Sequence, residues 1–186
     1  MNTTFYLVRH GETDWNKEKR IQGRSEVPLN AKGIQQAKRT ADLLATRKIE
    51  IVLTSPLYRA RQTAKIISRK LNRESVIYEG LTERSFGSLE GILRSEAESK
   101  YGGFSNTIIE KCGGEKGSAV RQRGWEALQW AEKEYTGNTI AVVTHGAWLN
   151  AVLTRIDSSL SDQVYENCSV TVLICNENKQ WTLADL

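Results

Sequence analysis

The chain contains only two histidines, and each closes an apolar run and stands directly before a glycine: His10 in Phe5-Tyr6-Leu7-Val8-Arg9-His10-Gly11, and His145 in Thr139-Ile140-Ala141-Val142-Val143-Thr144-His145-Gly146. Short apolar, β-branched runs read as buried strands, and a glycine after the last residue lets the backbone turn sharply. In open α/β sheets ligands bind in the crevice beyond the carboxyl ends of the strands. Two such strands lying side by side would bring both imidazoles to one site. The pattern therefore asks for a fold in which strand ends converge.

The rest of the chain supplies such a fold. Thr4 to Arg9 reads as the first strand, and the polar stretch from Thr13 to Leu29 as a long loop with turn signals at Gly23 and Pro28. A helix is expected from Ile34 to Arg47, a strand from Ile49 to Leu53, and a second helix from Pro56 to Asn72, with Ser55 as its cap and Pro56 in its first position. Val76 to Tyr78 is a third strand, and Leu81 to Gly91 a loop punctuated by glycines. Ile92 to Tyr101 is weakly helical, and Gly102 to Gly117, with five glycines, is the most loop-like segment.

A strong helix spans Ser118 to Tyr135, with Ala119 or Val120, Trp125, Leu128 and Ala131 on its inner face. After the strand that ends at His145 come a helix from Gly146 to Ile156, a polar connection from Asp157 to Asn167, a strand from Ser169 to Cys175 and a short final strand around Trp181 to Leu183. Alternating strands and helices predict a three-layer α/β/α sandwich. Its sheet would be mainly parallel and closed by an antiparallel carboxyl-terminal hairpin.

At 186 residues the chain suits a single domain spanning 1–186, with no linker or internal repeat. No apolar run approaches the ~20 residues that cross a bilayer, so no membrane partner is expected. The start, Met1-Asn2-Thr3-Thr4, has no basic region and the apolar run after it breaks at Arg9, which argues against a secretory signal and for the cytoplasm. Cys112, Cys168 and Cys175 lack metal-ligand spacing and read as reduced thiols without catalytic duty. The net charge of +4 is spread along helical faces rather than gathered in a basic stripe, so an anionic small molecule is a better partner than nucleic acid.

Leu7-Val8-Arg9-His10-Gly11-Glu12-Thr13-Asp14-Trp15-Asn16 resembles the signature of the histidine phosphatase superfamily, in its phosphoglycerate mutase-like branch. Ser55-Pro56-Leu57-Tyr58-Arg59-Ala60-Arg61-Gln62-Thr63-Ala64, Glu83 with Phe86-Gly87-Ser88-Leu89-Glu90-Gly91, and Val143-Thr144-His145-Gly146 resemble its other motifs in the same order. Asn167-Cys168-Ser169-Val170 resembles the strand that follows.

The resemblance implies phosphoryl transfer in which His10 attacks phosphorus and becomes a phosphohistidine, Arg9, Arg59 and His145 hold the phosphoryl oxygens, and Glu83 is the general acid and then base. It also implies that Asn16, Gln22 and Gly23 touch the phosphate or the substrate. The chemistry agrees: a phosphoryl group in transfer spreads charge over three oxygens and needs preorganised donors, which arginine forks supply. No metal and no cofactor are expected, because ligand-spaced clusters are absent from the sequence and the arginines carry the positive charge. Arg61 and Arg20 read as surface arginines.

Mutases of this branch carry an insertion after the glutamate motif. Here that segment is short, and Phe86 stands where they usually have tyrosine, although Arg94 falls where a mutase lysine would. This favours a phosphatase acting on a small phosphate ester, with a phosphoglycerate mutase as the alternative. Cys112-Gly113-Gly114-Glu115-Lys116 departs from the Pro-x-Gly-Glu-Ser-like segment of similar phosphatases, which leaves the leaving group open. A phosphate-binding or regulatory protein without turnover is the reading of another class. Against it, every charged pocket position and the acid are present.

Overall fold

The computed structural model describes residues 1–186, the side chain of Asp162 excepted. Among the described residues six strands form one sheet: β1 (Thr3–Arg9), β2 (Ile51–Thr54), β3 (Ser75–Ile77), β4 (Thr139–Thr144), β5 (Val170–Cys175) and β6 (Trp181–Ala184), in the spatial order β3-β2-β4-β1-β5-β6. The first four are mutually parallel, whereas β5 and β6 run antiparallel to their neighbours. This is the expected mainly parallel sheet with its carboxyl-terminal hairpin.

The α-helices are α1 (Asp14–Lys17), α2 (Ala31–Ala45), α3 (Tyr58–Leu71), α4 (Arg94–Tyr101), α5 (Asn106–Lys111), α6 (Gly117–Glu134) and α7 (Gly146–Leu153). Strand residues alternate between two cores, as a period of two requires. Phe5, Leu7, Leu53, Ile140 and Val142 pack against α6 and α7 through Val120, Leu128, Trp148 and Leu149. Val8, Val52, Ala141 and Val143 face the other way, onto α2 and α3 through Ala41, Leu44, Ala60, Ala64 and Ile67. Each fully buried aliphatic side chain contributes about 1.5–3 kcal/mol relative to exposure, so the three layers hold without a disulfide.

The chain leaves β1 toward α2 on one face and leaves β4 toward α7 on the other. Neighbouring strands whose connections diverge to opposite faces open a crevice beyond their carboxyl ends. The site lies there.

Three expectations needed correction. The stretch from Thr13 to Leu29 is not all loop: Thr13 and Asn16 form a reciprocal capping box that starts the short helix α1. The glycine-rich segment contains α5, capped by Ser105 and anchored by buried Ile109 in a small cluster with Ile21, Leu89 and Ala97. Finally α3 begins at Tyr58, with Leu57 at the cap position and no side-chain cap bond, so Pro56 lies outside the helix. Ser55 is engaged by a histidine instead.

Candidate active site

Arg9 pairs with Thr144 in the parallel register of β1 and β4, so His10 and His145 follow at adjacent strand ends. The His10 N–H donates to the Thr144 carbonyl at 2.9 Å, and the two imidazole centroids lie 5.2 Å apart. Directly after His10 the backbone must pass close to α2. A Cβ at Gly11 would sit 2.6 Å from the Gly33 carbonyl oxygen, and one at Gly33 would sit 2.1 Å from that of Glu12. Only two glycines allow this approach.

His10 is buried, and its Nδ1 lies 2.7 Å from the Gly11 carbonyl. A carbonyl can only accept, so Nδ1 carries the proton and Nε2 presents a lone pair. Burial, then Arg59 and Arg9, pull the imidazole well below its ordinary pKa and keep it neutral. Arg59 Nε donates to that Nε2 at 3.2 Å, while its two terminal nitrogens donate to the Gly23 and Ser25 carbonyls at 2.6 and 2.8 Å. Burial brings the Arg59 guanidinium down to about 10, so it remains a cation at neutral pH. It lies in the first turn of α3, as expected, whereas Arg61 is exposed and stacks near Tyr58.

His145 is fully buried, with Nε2 2.7 Å from the Ser55 hydroxyl and Nδ1 without a partner. Burial, then Arg59 and His10, hold this ring well below its ordinary pKa too. Arg9 donates through Nη1 to the Tyr165 carbonyl, while its buried Nε has no partner. Unpaired donors and buried ring nitrogens around one neutral imidazole suit a tetrahedral anion.

Glu83 is set by α7. Its carboxylate accepts the N–H groups of Arg84 and Trp148 at 2.9 Å and of Ala147 at 3.1 Å. Arg24 and Arg123 donate to its main-chain carbonyl and share the carboxylate of Glu115, which ties the segment before α6 to the glutamate loop. The other acids of the motifs are committed elsewhere. Glu12 pairs with Lys32, and Glu90 accepts from Ser25 and the Phe86 N–H.

Arg9, His10, Arg59 and Glu83 line one cavity of about 990 Å³, together with Asn16, Gln22 and Gly23. The Asn16 side-chain oxygen accepts from Thr13 and Asn167, which leaves its amide NH₂ to the cavity. Gln22 is buried with its side-chain oxygen unpaired, and Gly23, at φ +54, turns its carbonyl to Arg59. His145 is fully buried beside His10, with ring centroids 5.2 Å apart, and is the one sequence-predicted site residue that does not line the cavity. Arg20, read as a surface arginine, lies on the wall and donates to the Gly91 carbonyl.

Sequence reasoning missed Ser55, Arg84, Arg123 and Asn167 as members of this site. Arg84 followed Glu83 in plain view, yet nothing local showed that it is buried on the cavity wall. Asn167 donates to the His10 carbonyl at 3.0 Å from a position 157 residues away, so no spacing could reveal it. Among the described residues no group of three or more His, Cys, Asp and Glu side chains is arranged to hold a metal, and no helix is long and apolar enough to cross a membrane.

The sequence profile of the histidine phosphatase superfamily (branch 1) matches residues 5–186. An uncharacterized phosphatase, PhoE, of Bacillus subtilis (strain 168) is 32% identical over 98% of this chain and 93% of its own length. A probable phosphoglycerate mutase, GpmB, of Enterobacter sp. (strain 638) is 34% identical over 81% of this chain and 73% of its own. The solved structure of Bacillus stearothermophilus YhfR superposes with a TM-score of 0.88 at 30% identity, over 98% of this chain and 95% of that one. With the family profile matched over residues 5–186, the chain belongs to the histidine phosphatase superfamily.

Proposed function

We propose that this protein is a metal-independent phosphomonoesterase that hydrolyses a small phosphorylated metabolite through a phosphohistidine on His10. The observation that carries the reading is the state of His10: its proton is held on Nδ1 by Gly11, and its Nε2 lone pair lies in the cavity beside the Arg59 cation. Nε2 attacks phosphorus and the ester P–O bond breaks, while Glu83 delivers a proton to the departing oxygen. Water then attacks the phosphohistidine, gives its proton to Glu83, and inorganic phosphate leaves with His10 restored.

Arg9, Arg59 and the amide of Asn16 receive the three phosphoryl oxygens, with Gln22 and Gly23 completing the wall and His145 adding its unpaired Nδ1 from beside His10. These donors do the work that a metal does elsewhere, by neutralising charge as it develops. The outer cavity residues Lys19, Glu110, Ser118, Arg121 and Val164 are exposed, so water has a path to the intermediate and hydrolysis is favoured over transfer. The three unpaired cysteines suit a reducing, cytoplasmic setting.

Brief incubation with labelled phosphate ester and alkaline quench tests the reading. Acid-labile label should appear on one peptide, that containing His10, with release of inorganic phosphate. Interconversion of phosphoglycerates without phosphate release would replace it by the mutase reading. Label on another side chain would remove His10 as nucleophile.

A further inference from the structure

Ser55 ends the connection from β2 and is completely buried, although the sequence casts it as a helix cap. Its hydroxyl oxygen accepts the Leu57 N–H at 3.3 Å and lies 2.7 Å from Nε2 of His145. Among the described residues that ring nitrogen is the only acceptor within reach of the hydroxyl proton.

The two tautomers of His145 can be compared by counting. If Nε2 carried the proton it would donate to Ser55, and both the serine hydroxyl proton and the Nδ1 lone pair would be buried without a partner. If Nδ1 carries it, Ser55 donates to Nε2, and a single N–H is left over, at Nδ1. Buried polar groups are overwhelmingly satisfied, so the second arrangement is preferred. It also leaves a donor rather than a lone pair on the ring that neighbours His10.

The geometry points to Ser55 as a positioning residue, which donates its hydroxyl proton to Nε2 of His145 and so keeps the ring proton on Nδ1. The consequence for rate rests on the phosphoryl-transfer reading. With the ring centroids 5.2 Å apart and Nδ1 the unpaired atom of the His145 ring, that nitrogen is the one free to meet an oxygen of a phosphoryl group on His10. An Nδ1–H stabilises such an oxygen, whereas a bare Nδ1 repels it. Nothing in this role requires Ser55 to touch substrate, and it does not line the cavity.

Because the chain has two histidines, nitrogen NMR of its imidazoles can settle the tautomer directly, with His145 assigned from a His10→Ala variant. In the wild-type protein His145 should carry its proton on Nδ1. In Ser55→Ala the proton should move to Nε2 or divide between the two, and Ser55→Thr, which keeps the hydroxyl, should restore it. In step with this, kcat should fall about 10- to 100-fold in Ser55→Ala with little change in KM, short of the 10²–10³ typical of an oxyanion donor removed outright.

A wild-type His145 protonated on Nε2 overturns the inference, and that arm needs no variant to fold. So does a Ser55→Ala protein whose His145 keeps the Nδ1 proton. If the tautomers behave as stated while the wild-type protein turns over no phosphate ester, the proposed function has failed and the role of Ser55 toward His145 stands.

Discussion

Arg59 donates to Nε2 of His10 at 3.2 Å while its terminal nitrogens hold the carbonyls of Gly23 and Ser25. One side chain thus joins α3, the loop that follows α1, and His10. A guanidinium has five N–H groups, so with three engaged two remain for phosphoryl oxygens. Arg59→Lys keeps the charge and loses the fork. We expect kcat/KM to fall by about 10²–10³, with faster amide exchange around Gly23 to Ser25. Steady-state kinetics and hydrogen exchange together check it, and a loss of rate with no loosening of the loop would limit Arg59 to a purely electrostatic part.

Glu83 is the one carboxylate of the motifs that lies on the cavity. General acid help is worth about 10²–10⁴ in rate and matters most for poor leaving groups. Glu83→Gln should therefore slow phosphorylation of His10 by an alkyl phosphate far more than by p-nitrophenyl phosphate, measured in single turnover so that the common hydrolysis step does not mask the difference. Equal losses would mean that Glu83 positions the loop and does not transfer the proton.

Both histidines are buried with pKa values well below the ordinary one. As pH falls below about 6.5 the unfolded chain takes up two protons that the fold does not, so unfolding is favoured; stability rises with pH across this window. Denaturant titrations between about pH 6.5 and 5 should show a slope approaching 2.7 kcal/mol per pH unit from the pair. Replacing both histidines by Asn should flatten it. For the same reason the acid limb of kcat/KM that reports a neutral His10 should lie below pH 6.5.

Gly33 lies inside α2, where Ala is ordinarily better by roughly 0.5–1 kcal/mol. Here an added Cβ would meet the backbone of Glu12 at 2.1 Å. Gly33→Ala should be destabilising by about 1–3 kcal/mol and should lower activity as well, because the displaced backbone continues from His10 and Gly11. A more stable Gly33→Ala protein by thermal or urea unfolding would show that the α2 contact with the strand end is looser than drawn.

Chemistry without a metal predicts that activity survives excess chelator and that vanadate inhibits by adopting the five-coordinate geometry of the transferring group. A strict requirement for added Mg²⁺ or Zn²⁺ would contradict the assignment of the arginines.

The layers and the meeting of the two histidines at adjacent strand ends were legible because their causes are local. Runs such as Ile140 to Val143 bury both faces, so they read as continuous apolar strands, and a histidine followed by glycine marks where each strand stops. The helices α2, α3 and α6 showed through their periodic buried faces, with errors of a few residues at the ends. Glu83, which lines the cavity, was singled out only through motif resemblance, since a glutamate in a loop has no local signature.

What the amino-acid order could not express is the set of bonds made between distant segments. The short helix α5 is held because Ile109 finds a pocket among Ile21, Leu89 and Ala97. Glu83 is aimed by amides of Ala147 and Trp148, and Ser55 leaves its cap position because the β4 strand end places His145 against it. By itself the sequence determined which residues would arrive at the carboxyl ends of the strands, since strand length and turn chemistry are properties of adjacent residues. Only the tertiary structure decided which hydrogen-bond partner each of them met, because that depends on strand order and on helices joined to other strands.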